Sequence, residues 1–196
     1  TDSFRLAEWS MEIKDSLHIP PLLIPVKNIT EILKVFDGDE GEIDVNVNKN
    51  QISINYDGIY LTSRLINGIF PDYKQLIPKE SDTEVIVLRQ DLLDTLKLVT
   101  LFSDKLNQIW FKVNKKEKYI SVLSKSTDIG ESISQIDASI AGVDVEARYN
   151  YKYLIDCFQS IDQDSISISF SGSKKLLLIR GVGGNSFLYL IMSMND

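Results

Sequence analysis

The chain has 196 residues, 43% of them hydrophobic, and a formal net charge of −7. This length predicts one or two domains with a substantial core. Because the sequence contains no run of 18 apolar residues, we expect no membrane-spanning helix. The single cysteine excludes an internal disulfide bond, and the acidic balance argues against a protein that grips DNA by phosphate neutralisation alone. A local positive surface is still compatible with this balance.

An opening strand is followed by a first pattern of predicted elements between residues 22 and 66. The apolar run 22–26 predicts a strand, and apolar residues at helical spacing predict a helix from Asn28 to Asp37. Alternation of apolar and polar residues then predicts strands at 42–48, 51–56 and 59–65, with a turn at Asn48–Asn50 between the first two.

Two further stretches repeat this order of strand, helix and strands. The second covers about 84–140, with a helix from Gln90 to Ser103. Its strands are predicted at 84–88, 109–113, 118–124 and 131–140, with a turn at 114–117. The third covers 143–194, with a helix from Asn150 to Ile161. Its strands are predicted at 143–149, 165–170, 176–181 and 186–192, with a turn at 171–173.

The repeat predicts how the chain is organised into domains. Two such units can pair the edges of their sheets and place both helices on one face, so we expect the second and third units to form one domain, residues 83–196. Residues 1–82 would then be part of another domain, and the polar segment 78–82 is the candidate linker. We therefore expect the chain to be a fragment of a longer protein. The alternative is that this element order is simply common in α+β folds.

The connector after the first unit contains the most specific motif. Pro71 fixes its own φ angle and favours an extended conformation at Phe70, so the segment predicts a stiff surface connector. Its pattern consists of Ser63-Arg64-Leu65, Gly68, Phe70-Pro71-Asp72-Tyr73 and Pro78. This pattern resembles the corresponding stretch of the bacterial sliding clamp, the beta subunit of DNA polymerase III. The opening 1–7, the ending 188–194 and the Tyr153-Leu154-Ile155-Asp156 helix start are also similar to that family.

The resemblance covers the whole chain and implies most of the middle domain plus the last domain of a clamp. It implies an α+β fold of repeated strand–helix–strand–strand–strand units, with sheets outside and helices on the inner face of a ring. The function implied is that of a non-catalytic processivity factor in a polymerase complex that also has nucleotidyltransferase and 3′–5′ exonuclease activities. We expect no cofactor and no metal.

The implied partners are double-stranded DNA, encircled without sequence specificity, and proteins that carry clamp-binding motifs. These proteins include the DNA polymerase III alpha subunit and the clamp loader. The full-length protein would be a homodimer in the bacterial cytoplasm, associated with the nucleoid and not with a membrane.

The resemblance also implies a peptide-binding cleft between the middle and last domains. Apolar residues would form an adaptable groove, and a few polar groups would fix the register of the peptide. The residues carried over are Thr1, Ser3, Arg5, Leu6, Pro71, Gln75, Leu76, Tyr153, Leu176, Leu190, Ile191, Met192 and Met194.

The sequence departs from the pattern of the family in four places. Phe4 replaces a usual His, Gln75 a frequent Arg and Ser193 a usual Pro, and the chain ends in Asn195-Asp196 where a basic and an apolar residue are common. These differences make the cleft less cationic. We therefore expect an altered peptide preference rather than a loss of binding.

Two other surfaces follow from the resemblance. Cations outside the apolar stripes of the helices would face DNA, although a mixture of charges on a helix is equally typical of a solvated face. Leu101 and Phe102 would contact the partner subunit, or they could equally be core residues. The predicted DNA-facing residues are Lys27, Lys34, Arg89, Lys97 and Lys152.

The sequence gives little support for catalysis. His18 is the only histidine and lies in a connector, and Cys157 fits a buried structural thiol. Gly181, Gly183 and Gly184 lack the helix and Lys of a phosphate-binding loop, so they predict a hairpin turn. Two alternatives stay open: a small α+β enzyme with a carboxylate site in the interdomain cleft, and a free-standing peptide-binding module.

Overall fold

The computed structural model describes residues 1–12, 19–37, 41–171 and 176–194. The chain divides into two compact units. The major unit comprises Thr1–Glu12 and Lys74–Asp196, and the minor unit comprises Ile13–Tyr73. The domain boundary that the sequence predicts after residue 82 stays a prediction. His18, the turn residues 172–173 and the ending Asn195-Asp196 lie outside the described residues.

The minor unit is a three-stranded antiparallel sheet with one helix. The sheet order is β2-β3-β4, and Asn48 Oδ1 closes the β2–β3 turn by accepting from the amides of Asn50 and Gln51. Its elements are helix α1 (Val26–Val35) and strands β2 (Asp44–Val47), β3 (Gln51–Tyr56) and β4 (Ile59–Arg64).

The major unit contains a six-stranded and a four-stranded antiparallel sheet, in the orders β1-β13-β12-β11-β5-β9 and β10-β6-β7-β8. Its helices are α2 (Arg89–Val99) and α3 (Tyr151–Cys157). Its strands are β1 (Arg5–Trp9), β5 (Thr83–Leu88), β6 (Gln108–Asn114), β7 (Tyr119–Ser126), β8 (Gly130–Asp137), β9 (Ser139–Gly142), β10 (Val145–Asn150), β11 (Ser165–Ser171), β12 (Leu176–Gly181) and β13 (Phe187–Ile191).

The predicted edge pairing of the second and third repeat units is confirmed. Strand β11 of the third unit pairs with β5 of the second, and β10 pairs with β6. Helices α2 and α3 contact each other and bury Leu92, Leu96, Val99, Leu154 and Cys157 in one core cluster. Phe111, Tyr149 and Phe170 lie at its centre, with ring centroids 5.8–6.4 Å apart.

Three local predictions are wrong. The run 22–26 forms no strand, because Pro25 removes an amide donor and presets the first turn of α1, which begins at Val26. The predicted strand 131–140 is two strands in different sheets, with Ala138 between them donating to the Lys118 carbonyl. The helices predicted at 90–103 and 150–161 end early, and each closes in a 3₁₀ turn, at 100–102 and 158–160.

Hydrogen bonds fix the C-terminal end of the predicted linker, residues 78–82. The Asp82 amide donates to the Phe170 carbonyl, and the Ser171 hydroxyl donates to the Glu80 carbonyl. The fully buried Thr83 hydroxyl donates to the Val143 carbonyl and accepts from the Val143 amide, at 2.7 and 3.0 Å. These bonds fix the start of β5 against the end of β9.

Candidate functional site

Strands β1, β13 and β12 carry apolar side chains on both faces of their sheet. In β13, Tyr189 and Ile191 belong to the core of the major unit. Because side chains alternate along a strand, Leu188 and Leu190 lie on the opposite face. Leu190 pairs with Leu6 on one side and with Leu178 on the other, and all three are at least 92% buried.

An apolar patch lies at the end of these three strands. The Met192 amide donates to the Phe4 carbonyl at 2.9 Å and so extends the β1–β13 pairing by one position. Met192 is 44% exposed and Phe4 60% exposed, while Leu176, at the start of β12, is half-buried. We call Phe4, Leu176 and Met192 the apolar patch. By strand alternation it continues the row of Leu6, Leu190 and Leu178.

Arg5 links strand β1 to helix α3 on the other face of the sheet, the face of Tyr189. Its Nε donates to Asp2 at 3.0 Å, its Nη1 donates to Asp156, and the guanidinium lies 4.5 Å from the centre of the Tyr153 ring. A longer hydrogen bond of 3.4 Å reaches the Tyr189 hydroxyl. The hydrogen bond to Asp156 is the largest cause that raises the pKa of Arg5 above its ordinary value.

Tyr189, next to this cluster, keeps its proton. Burial is the main cause that raises the pKa of Tyr189 to about 12, against a smaller lowering by Arg5. The hydroxyl is therefore neutral at physiological pH, and it accepts a hydrogen bond from Arg5 without forming an ion pair. Arg5 is thus compensated by two carboxylates and is held at a fixed place against helix α3.

The first three residues form a polar turn against β1. The Thr1 hydroxyl donates to the Arg5 carbonyl at 2.7 Å and accepts from the Ser3 amide at 3.3 Å. Asp2 Oδ1 accepts from the Phe4 and Arg5 amides at 3.0 and 3.1 Å. Ser3 adopts a positive φ of 75°, which this network of local bonds supports.

The structure brings many of the predicted cleft residues together in the major unit. Thr1, Ser3, Arg5, Tyr153 and Met192 are connected through the contacts above. The Met194 amide donates to the Arg148 carbonyl at 2.9 Å, which anchors the chain ending on β10. Gln75 and Leu76 lie in the exposed 3₁₀ turn Tyr73–Leu76. Pro71 is exposed in the minor unit.

Three predicted cleft residues offer little or no surface. Ile191 is completely buried on the core side of β13, because the alternation of the strand turns it away from Leu190. Leu6 and Leu190 are 7% and 3% exposed and lie behind the patch rather than at its surface. The sequence could not separate these roles, because all five residues of β13 are buried.

The sequence missed the Asp2–Arg5–Asp156 cluster. Arg5 and Asp156 are separated by 151 positions, so no local pattern connects them. The only sequence signal was the Tyr-Leu-x-Asp helix start, which placed Asp156 next to the predicted Tyr153.

The predicted DNA-facing cations have different surroundings. Lys34 pairs with Glu31 at 3.0 Å, and Lys97 pairs with Asp94 at 3.4 Å. Arg89 is half-buried, and its guanidinium donates to the carbonyl of Phe158, the first residue of the 3₁₀ turn after α3. Lys27 and Lys152 are exposed and form no ion pair with another described residue.

The predicted subunit-contact residues lie just after α2. Leu101 is 68% exposed and Phe102 is half-buried. This turn contacts β8, an edge strand of the four-stranded sheet, where Ile133 is 58% exposed. The surface therefore combines exposed apolar side chains with a strand edge.

Cys157 and the glycines at 181–184 are parts of the core and of a turn. Cys157 is buried, and burial is the main cause that raises the pKa of its thiol to about 12. The Gly184 amide donates to the Gly181 carbonyl in the turn between β12 and β13, as the sequence predicts. In the described part of the chain, no group of three or more His, Cys, Asp or Glu residues is arranged to hold a metal ion. None of the described helices is long and apolar enough to cross a membrane.

Comparison with known proteins gives matches over nearly the whole chain. The family described as "DNA polymerase III beta subunit, central domain" matches residues 1–72, and "DNA polymerase III beta subunit, C-terminal domain" matches residues 74–195. The beta sliding clamp of Staphylococcus aureus (strain Mu50 / ATCC 700699) is 25% identical over 193 residues, which are 98% of this chain and 51% of that protein.

Solved structures agree with this assignment. The DNA polymerase sliding clamp from Bacillus subtilis has a TM-score of 0.91 and 28% identity, covering 100% of this chain and 52% of that one. The sliding clamp from Bartonella birtlesii, solved bound to griselimycin, has a TM-score of 0.92 and 25% identity, covering 100% and 53%. The chain therefore belongs to the DNA polymerase III beta subunit family. It spans about half the length of the curated relatives it matches.

Proposed function

We propose that this chain is part of a non-catalytic sliding clamp that docks short peptide segments of replication and repair proteins at the apolar patch. The observation that carries the proposal is the exposed patch of Phe4, Leu176 and Met192 at the end of strands β1, β13 and β12. A peptide that inserts an aliphatic or aromatic side chain here would bury apolar surface on both sides. The hydroxyl groups of Thr1 and Ser3 would set its register.

The departures from the pattern of the family affect the same place. Phe4 adds apolar surface where a histidine is usual, and Arg5 is already compensated by Asp2 and Asp156. We therefore propose a groove that selects its peptide mainly by apolar anchors and less by carboxylates. Gln75, in the exposed turn before Leu76, carries no charge, whereas an Arg is frequent at this position in the family.

The proposal extends to the longer protein. Two subunits would close a ring around double-stranded DNA, with Leu101 and Phe102 at the contact between them. The exposed Leu101 beside the edge of β8 supports this assignment, since edge strands readily pair with another chain. We retain residues 1–82 and 83–196 as the proposed domain division of the ring.

DNA contacts would be weak in such a ring. Lys34 and Lys97 are each compensated by a neighbouring carboxylate, which leaves Lys27 and Lys152 as the better candidates for phosphate contacts. A ring that holds DNA by topology needs only such weak contacts, and weak contacts permit sliding. The proposed location is the bacterial cytoplasm, associated with the nucleoid.

The test is fluorescence anisotropy of a labelled pentapeptide (Gln-Leu-Ser-Leu-Phe) titrated with this chain. We expect saturable binding in the micromolar range. Met192→Asp should weaken binding at least about tenfold, because it places a charge in an apolar contact. The matched control is Val182→Asp, which changes a side chain of similar exposure, 42% against 44%, away from the patch.

Two results would contradict the proposal. One is the absence of binding by the folded chain, and the other is equal affinity of Met192→Asp and the wild type. Griselimycin, with which the Bartonella birtlesii clamp was solved, provides a second probe that should compete with the peptide.

A further inference from the structure

One edge of the six-stranded sheet is the short strand β9, which covers only part of its neighbour β5. Strand β5 pairs with β11 along its whole length, from Thr83 to Leu88. Its pairing with β9 stops at Ile86, opposite Ser139. Leu88, which is 53% exposed, therefore lies beyond the end of β9, beside an open groove of about 740 Å³.

The sequence of β5 is one that pairs readily with another strand. It reads Thr-Glu-Val-Ile-Val-Leu, with three β-branched residues in a row and neither proline nor lysine. β-Branched residues favour strands, and proline and lysine are residues that commonly protect an exposed edge. The Arg89 amide donates to the Asp164 carbonyl on the β11 side, so alternation turns the amides of Glu84 and Ile86 towards β9. Without β9, these two amides would be open to a second chain.

The turn between β6 and β7 holds both ends of β9. At the first end, the Ala138 amide donates to the Lys118 carbonyl at 2.9 Å. At the second end, Lys115 Nζ donates to the Gly142 carbonyl at 2.7 Å, and the Lys115 amide donates to Asp144 Oδ1 at 2.8 Å. Because this turn belongs to the four-stranded sheet, one sheet clamps the edge of the other.

Strand β5 and the core hold the same segment from the other side. The buried Thr83 hydroxyl bonds both backbone groups of Val143, and the partly buried Ile140 packs against the core cluster. At Gly142, a Cβ atom would lie only 2.6 Å from the Thr83 Cα, so the two backbones are in close contact. Strand β9 is thus held firmly although it has only four residues.

We propose that residues 138–143 form a protective strap, which keeps the edge of β5 from pairing with another chain, and that Lys115 keeps this strap closed. A short strand of the same chain that occupies an edge denies it to a second strand. Lys115 is exposed, so its bond to Gly142 is the anchor that opens most easily. All of these groups lie in the second and third repeats, and the inference is independent of peptide binding.

The first test is amide hydrogen exchange, measured residue by residue by NMR. Lys115→Met removes the ammonium donor and keeps most of the apolar stem. We expect the amides of Glu84 and Ile86 to exchange at least about threefold faster in this variant, because they face the strap. The amides of Val85 and Val87 face β11 and should keep their wild-type rates.

The matched control is Lys116→Met, because Lys116 lies in the same exposed turn. This variant loses the same charge and should leave all four exchange rates unchanged. Wild-type rates at Glu84 and Ile86 in Lys115→Met would overturn the proposal. Equal acceleration of all four amides would also overturn it, since the sheet would then open as a whole and not at the strap.

The second test is association of a chain whose strap is opened further. The double variant Thr83→Val/Lys115→Met removes the side-chain anchors at the second end of the strap, and sedimentation velocity should show more association than in the wild type. Adding Ile86→Lys places a charge on the opened edge and should suppress this increase. The control is Ile109→Val, which trims a fully buried residue of the same core and leaves the strap closed.

Circular dichroism at the same temperature checks that every variant is folded. Association of the folded double variant that does not exceed that of Ile109→Val would refute the protective role of the strap. An increase that Ile86→Lys does not reduce would also refute it, because the contact would then lie away from the edge of β5.

Discussion

Replacing Arg5 by methionine tests whether the Asp2–Arg5–Asp156 cluster holds strand β1 to helix α3. The variant keeps much of the side-chain length but removes the guanidinium, which contacts Asp2, Asp156 and the Tyr153 ring. We expect lower stability and weaker peptide binding, because the predicted cleft residue Tyr153 loses the group that fixes its ring.

The magnitude follows from the exposure of the partners. The Asp2 and Asp156 side chains are 44% and 56% exposed, so each ion pair contributes only about 0.2–1 kcal/mol. The stacking on Tyr153 adds about 0.5–1 kcal/mol. The expected loss is therefore about 1–3 kcal/mol in the free energy of unfolding. For a chain of this size, it corresponds to a fall in melting temperature of about 3–9 °C.

The assay is a double-mutant cycle with Arg5→Met and Asp156→Asn, followed by urea unfolding at low salt. A coupling energy of about 0.2–1 kcal/mol is expected. Arg5→Lys should fall between wild type and Arg5→Met, since it keeps the charge but loses the planar fork. Strict additivity of the two substitutions, with unchanged peptide affinity, would refute the assignment of Arg5 as a positioning residue.

Two further substitutions test how β5 and β9 are joined. Thr83→Val leaves the amide and the carbonyl of Val143 without their partner and should lower the free energy of unfolding by about 1–3 kcal/mol in urea titrations. Thr83→Ser keeps the hydroxyl and should retain most of the wild-type stability. Gly142→Ala should cost at least about 1 kcal/mol more than Gly130→Ala in the same assay. Both glycines have a similar positive φ, 118° and 114°, but only at 142 would a Cβ atom come within 2.2 Å of a backbone oxygen. Equal losses would contradict the close approach.

The strands with one polar face were predictable from the sequence. Strand β3, residues 51–56, has the predicted bounds, because alternation and the flanking turns define a half-buried strand. Where both faces are buried, alternation carries no signal, and the sequence could not assign Ile191 to the core and Leu190 to the opposite face.

Other features depend on partners that are distant in the sequence. The break between β8 and β9 follows from pairing with two different sheets, which a continuous alternating pattern does not reveal. The apolar run 22–26 has the composition of a strand, but Pro25 within it lacks the amide donor that a sheet ladder requires. The Arg5–Asp156 contact likewise required the folded chain, because the resemblance named Arg5 as a peptide contact and not as a group already occupied.

The acid response of Asp2 tests this cluster in a second way. Burial works to raise the pKa of Asp2, but hydrogen bonds from the Phe4 amide and from the Arg5 side chain and amide outweigh it and lower the pKa below its ordinary value of 3.8. The contribution of Asp2 to stability is therefore fully present above the unfolded-state pKa and is lost as the pH falls through the folded-state pKa.

We accordingly expect the wild type to lose more stability than Asp2→Asn when the pH falls from about 5 to about 2, by less than about 1 kcal/mol because the carboxylate is partly exposed. Urea unfolding at several pH values measures the difference, and an NMR titration of the Asp2 carboxyl carbon measures the pKa directly. In Arg5→Met the difference should shrink, since one of the lowering hydrogen bonds is gone. A midpoint for Asp2 at or above 3.8 would show that these hydrogen bonds do not hold the first turn in solution.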